Sequence, residues 1–170
     1  MIVVDVETGG LDPKKSALLS IGAVEYEHPK NEFYMEIKPV DGKEMHPRAL
    51  SINGYNPDKW ENWELGTTME MFLDWIMKTD EQTLAGHNPS FDRDFCNHAF
   101  EETELPFLFN HRTVDLHSVA YAKFLGNGMK CTKLYSDRIY QLLQMPTEPK
   151  PHNALTGARM EAQALRLLIK

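Results

Sequence analysis

The stretch VDVETGG sets two carboxylates, Asp5 and Glu7, on alternate positions of an apolar run that reads as a strand. Alternate strand residues point to one face, so the two acids share a side. Two like charges in a sheet interior raise each other's pKa or call for a cation. Gly9 and Gly10 follow at once and give backbone that a ligand can approach closely. On this segment alone, a strand end that simply exposes its acids to water stays open as a reading. A further carboxylate, Asp92, stands in HNPSFDRDF, where Asn88 and Pro89 make a turn after the short run TLA. It falls in a first helical turn at the carboxyl end of a strand, where α/β folds hold ligands. Acids also favour helix N-termini for electrostatic reasons, so Asp92 by itself decides nothing; its neighbour Asp94 reads as solvated. His152, among seven histidines, precedes the helix-forming run NALTGARMEAQAL. An imidazole with an ordinary pKa of about 6.5 suits a general base near neutral pH.

The elements that must position these residues follow from patterning. MIVVDVET has the near-continuous apolar character of a strand covered on both faces. ALLSIGAVEYE and NEFYMEIKP come next at hairpin distance, with HPKN as the turn between them, which predicts an antiparallel meander. Residues 40–60 are too rich in Pro and Gly for one long element. TTMEMFLDWIMK has helical spacing, with Thr67 or Thr68 as its N-cap. QTLAGH reads as a short buried strand and SFDRDFCNHAFEETE as a helix capped by Ser90. RTVDLHSVAYAKFL predicts a short strand leading into a helix; CTKLYSDRIYQLLQ and NALTGARMEAQALRLLI complete the helices. Strands first, then helices alternating with short strands, predict an α/β layer fold with a mixed sheet.

Bulk properties narrow the function classes. The 170 residues, with 42% hydrophobic and 25% charged, suit a single domain over 1–170 with its own core. There is no apolar run of membrane-spanning length and no signal peptide, so no membrane partner is expected. Cys96 and Cys131 lack metal-type spacing and read as idle thiols of a reducing cytoplasm, a cell's own or a host's. The net charge of −7 argues against a general polyanion binder. It does not argue against a nucleic-acid enzyme, because cations bound to clustered carboxylates reverse the local field. Lys14, Lys15, Lys130, Lys133 and Lys150 could rim such a cleft, or be ordinary surface lysines.

Asp-x-Glu, then an aspartate in HNPSFDRDF, then HNA opening the last helix: this order resembles the DEDDh family of 3′-to-5′ exonucleases along essentially the whole chain. The resemblance implies a ribonuclease H-like fold, a five-stranded mixed sheet flanked by helices. It implies two divalent cations, Mg²⁺ or Mn²⁺, clamping the attacking and leaving oxygens of an in-line phosphoryl displacement. By that similarity Asp5 bridges the two ions, Glu7 binds the first, Asp92 helps hold the second, and His152 takes the proton of the attacking water. Thr8, Gly10 and Leu11 would line the terminal-nucleotide pocket, with Asn88 and Phe91 beside it. The implied partner is the 3′ end of a single-stranded nucleic acid; a polymerase partner or homodimer occurs in the family and is not readable here.

Two departures stand out. The family carries an aspartate five residues after the histidine; here that position is Gly157, and a mid-helix glycine costs about 1 kcal/mol against alanine. Glu161, one turn further along the same face, is a substitute carboxylate, although a turn of about 5.4 Å is far for one extra methylene. Substrate phosphate and water could instead complete the coordination. A third reading is a non-cutting relative that binds nucleic-acid ends, and a small-molecule phosphodiesterase is a fourth. The second departure is INGYN, where many relatives show His-Gly; Asn53 can make terminal-nucleotide contacts or simply form an Asn-Gly turn.

Overall fold

A computed structural model describes residues 1–128 and 133–170. Lys130 and Cys131, read above as a rim lysine and an idle thiol, lie outside the described residues, as does the start of the segment CTKLYSDRIYQLLQ.

β1 (Ile2–Thr8) runs through the centre of a five-stranded sheet. Ile2, Val4 and Val6 enter one core and Val3 the other, which is why the run is apolar at adjacent as well as alternate positions. β2 (Leu18–Glu25) pairs antiparallel with β1, and β3 (Glu32–Glu36) antiparallel with β2, the expected meander. β4 (Leu84–Gly86) and β5 (Thr113–Asp115) add in parallel on the other side, giving the order β3-β2-β1-β4-β5. The mixed sheet flanked by helices is therefore as the sequence led us to expect.

Among the described residues the helices are α1 (Pro47–Asn53), α2 (Leu65–Ile76), α3 (Pro89–Glu102), α4 (Leu116–Gly126), α5 (Ser136–Leu142) and α6 (Ala154–Leu168). α2 and α3 cover one face with Met69, Phe72, Ile76, Phe95 and Phe100. α4, α5 and α6 cover the other with Leu116, Ile139, Tyr140, Ala158 and Leu165.

Two predicted caps fail, each for a local reason. Trp63 is still bridged to Ile37 beside β3, and α2 begins as soon as that bridge ends, with Glu64 at its N-cap. Thr68 is therefore inside the helix, buried with its hydroxyl unbonded. α3 begins at Pro89, whose ring suits a first helical position, so Ser90 is already inside and its hydroxyl donates to the Asn88 Oδ1. Asn88 itself takes the left-handed conformation at φ 60°. The Pro- and Gly-rich stretch holds only the short α1, closed by Gly54 at φ 67°.

One packing detail fixes the site. Gly22 is the cross-strand partner of Asp5, so the two share a sheet face. α6 starts directly over that point: a methyl group on Gly22 would lie 2.2 Å from Ala154 C and Leu155 N. Gly22→Ala must lift the helix start, and a loss of about 1–3 kcal/mol is expected, as for other overpacked contacts. Thermal melts check this; an unchanged midpoint would show that the helix does not rest on the strand there.

Candidate active site

β1 and β4 pair through Ile2–Leu84 and Val3–Ala85, and no pairing is found beyond Val3. The Val6 N–H instead donates to Asp92 Oδ1 at 3.0 Å, so the first turn of α3 inserts its carboxylate beside β1. Asp5 and Glu7 stand on the α6 face of the same strand end. The space a side chain at 157 would use is filled by Asp5: a methyl group there would lie 2.0 Å from its Oδ2. One turn along, Glu161 is buried, and its Oε2 accepts the His87 N–H at 3.1 Å just past the end of β4. Gly86 is the matching small residue, since a methyl on it would lie 3.1 Å from that oxygen. Asp5, Glu7, Asp92 and Glu161 thus lie close enough to act on one another's charge, although among the described residues their oxygens do not all fall within 4.8 Å of one another.

His152 is anchored from both sides. Its own N–H donates to Ile52 O at 2.9 Å. The next residue, Asn153, caps α6 by accepting from Thr156 N at 3.1 Å and hooks to the Tyr34 hydroxyl at 2.7 Å. The half-exposed ring faces Glu148, whose Oε2 is 3.6 Å from Nδ1. Glu148 belongs to the loop between α5 and α6 and was not anticipated; its place four residues before the histidine was the one available signal.

The cluster's electrostatics follow from burial of like charges. Asp5 is pushed well above the usual carboxylate range by burial, and further by Glu161, Asp92, Glu7 and Glu148. Burial, then Glu148 and Asp92, push Glu7 to about 8. Burial takes Asp92 to about 7 against the pull of the Val6 N–H. Glu161 is raised by burial and by Asp92, with the His87 N–H opposing. Burial also raises Glu148, and His152 opposes it. Such a donor set, all carboxylate oxygen, fits hard divalent cations. Glu148, on the His152 side of the group, has a buried Oε1 with no hydrogen-bond partner among the described residues. A separate group, Glu25, His28 and Asp80, lies at the opposite end of β2 from these residues.

The expected nucleotide contacts separate into two sets. Gly10 and Leu11 line an open cleft of about 600 Å³ with His46, Arg48, Ala49 and Ile52, and Leu11 is 84% exposed. His46 and Arg48 were not anticipated; HPR at the start of a short helix was their only trace. Asn88 is exposed and Phe91 half-buried, its ring 4.9 Å from that of Phe95. Thr8 and Asn53 are engaged by the fold itself. Thr8 is buried with its hydroxyl on Gly10 O, and Asn53 donates to Thr8 O while accepting from Tyr55 N. Lys14, Lys15, Lys133 and Lys150 are exposed or partly so, and Cys96 is a buried free thiol.

Residues 2–165 match a family model described as exonuclease. The 3′-5′ DNA exonuclease Cap18 of Escherichia coli is 29% identical over 175 residues, covering 99% of this chain and 91% of that protein. Ribonuclease T of Haemophilus influenzae is 30% identical over 119 residues, covering 60% of this chain; the match spans about half, 51%, of that relative. Among solved structures, the nuclease domain of 3′hExo, a DEDDh family member, bound to rAMP, superposes with a TM-score of 0.75 at 14% identity. That superposition covers 96% of this chain and 88% of that one. No helix among the described residues is long and apolar enough to cross a membrane.

The raised carboxyls set a pH dependence. The folded chain keeps protons that the unfolded chain releases between the ordinary value of 4.5 and about 8 for Glu7. Metal-free stability is therefore greatest below that window and falls as pH rises through it. We expect the midpoint in EDTA to drop by at least about 5 °C from pH 5 to pH 8. A divalent cation that displaced those protons would raise the midpoint more at pH 8 than at pH 5. A metal-free midpoint that climbs with pH contradicts the cluster.

Proposed function

This chain belongs to the exonuclease family, and on that premise we propose that it removes nucleotides from the 3′ ends of single-stranded DNA or RNA. In this reading two divalent cations, Mg²⁺ or Mn²⁺, are held by Asp5, Glu7, Asp92 and Glu161. Bound there, they supply Lewis-acid stabilisation of the attacking and leaving oxygens. His152 Nε2 takes a proton from water as the oxygen attacks phosphorus. The P–O3′ bond breaks, the departing O3′ takes up a proton from solvent to become the new 3′-hydroxyl, and a 5′-mononucleotide leaves the shortened strand. Leu11, exposed at the lip of the cleft, offers an apolar contact to the terminal base; Arg48 and His46 offer charge and hydrogen bonds to its phosphate or sugar. The single domain is taken as 1–170, acting in the cytoplasm of its own cell or of a host.

The observation that carries this reading is the convergence of Glu161 on Asp5 and Asp92. The end-binding alternative rested on Gly157. With Asp5 occupying the room at 157 and a carboxylate supplied from 161, the glycine supports a relocated ligand better than a lost one. The relative matched along both lengths is named a DNA exonuclease, which favours DNA.

The test is a gel assay on 5′-labelled single-stranded DNA and RNA with Mg²⁺ or Mn²⁺. We expect a ladder shortening from the 3′ end, with Asp5→Ala, Glu161→Gln and His152→Ala each slower by at least about a hundredfold. Full activity in His152→Ala defeats the base assignment. Intact label in every wild-type lane makes end binding the better account. Gly157→Asp, which returns an aspartate to its expected place, should slow the enzyme, because its Cβ displaces the Asp5 carboxylate.

A further inference from the structure

Glu148 is an acid on a loop, yet its side chain is nine-tenths buried. Acids on loops ordinarily sit in water. Its Oε1 is sealed from solvent and accepts no hydrogen bond, an arrangement that is unfavourable unless something nearby uses the charge. The group that can use it is His152, whose Nδ1 lies 3.6 Å from the other oxygen. Among the described residues, the other charges that bear on the carboxylate, from Asp137 on α5, Glu7 and Asp5 on β1 and Glu161 on α6, are acids. The spacing between the two residues is held by the chain itself. Pro149 and Pro151 fix two of the intervening backbone angles, and the His152 N–H is tied to α1 through Ile52 O.

We propose that Glu148 is a positioning residue for His152. At 3.6 Å the two groups are at ion-pair rather than hydrogen-bond distance; a small closing movement of the ring would let the carboxylate accept the Nδ1 proton and so fix the tautomer whose Nε2 is free to take a proton from water. When Nε2 is protonated, the Nδ1 proton stays where it is, and the carboxylate offsets the imidazolium charge. This rests on His152 acting as the base. It gives the fold a carboxylate–histidine pair in addition to the carboxylates facing the cations, and so explains why an acid is buried on that loop.

Three measurements test it. In metal-free protein with ¹⁵N-labelled histidine, neutral His152 should carry its proton on Nδ1, and Glu148→Gln should move population to the Nε2–H form. Glu148→Gln should lower kcat by about ten- to a hundredfold, the usual cost of losing such a partner, with KM for the oligonucleotide unchanged. Mn²⁺ affinity by calorimetry should also be unchanged, and in a His152→Ala background Glu148→Gln should cost nothing further. An Nε2–H tautomer in the wild type overturns the proposal. So does a weakened Mn²⁺ affinity or a full kcat cost without His152, either of which makes Glu148 a cation ligand. A wild type that does not cut counts against the exonuclease reading, while the tautomer measurement still decides the pair.

Discussion

Helix α6 meets the sheet closely at two points: at Gly22 the helix start lies on the strand backbone, and at Gly157 the Asp5 side chain fills the room a side chain on the helix would need. Everything at the site depends on that close approach. It brings the helix against the Asp5 carboxylate, sets His152 at the near end of the helix, and carries Glu161 across to the end of β4. A methyl group at either glycine would force apart the surfaces that hold the acids, so the glycines are positional requirements of the chemistry as much as of the packing.

A fold that gathers Asp5, Glu7, Asp92, Glu148 and Glu161 in one place carries a built-in conflict. Part of it is relieved by backbone: the Val6 N–H serves Asp92 and the His87 N–H serves Glu161. The rest is left for protons or cations. β1 and β4 part after Val3 and Ala85, and the loops and helix starts that follow them face the gap, as ligand sites in α/β sheets do. The conflict is thus confined to one sheet edge, and the two apolar cores on either face are undisturbed.

Much of this was legible in the sequence because it is periodic. β1, the meander and α6 announce themselves by spacing, and Asp5 and Glu7 follow from alternation. Glu161 was legible only in part: the face was readable, but the 5.4 Å step seemed too long. The helix travels across the sheet, so one turn leads from Gly157 beside Asp5 to Glu161 beside the His87 N–H just past β4. Glu148 was hidden, since a loop has no period and its partner is reached by folding back. Thr68 and Ser90 misled as caps because a β-bridge and a proline started their helices earlier. Asn53 braces the strand end through its bonds to Thr8 and Tyr55, which no sequence pattern announces.

The hydrogen bond from Val6 to Asp92 has a further consequence. A single backbone amide in the central strand is bonded to a carboxylate of the proposed site, with no intervening side chain. Whatever changes the charge on Asp92, whether a proton, a cation or a departing product, changes the electron density around that amide. Val6 is thus a natural spectroscopic indicator: its resonance and its exchange rate should follow the charge state of Asp92 in real time, without any added label.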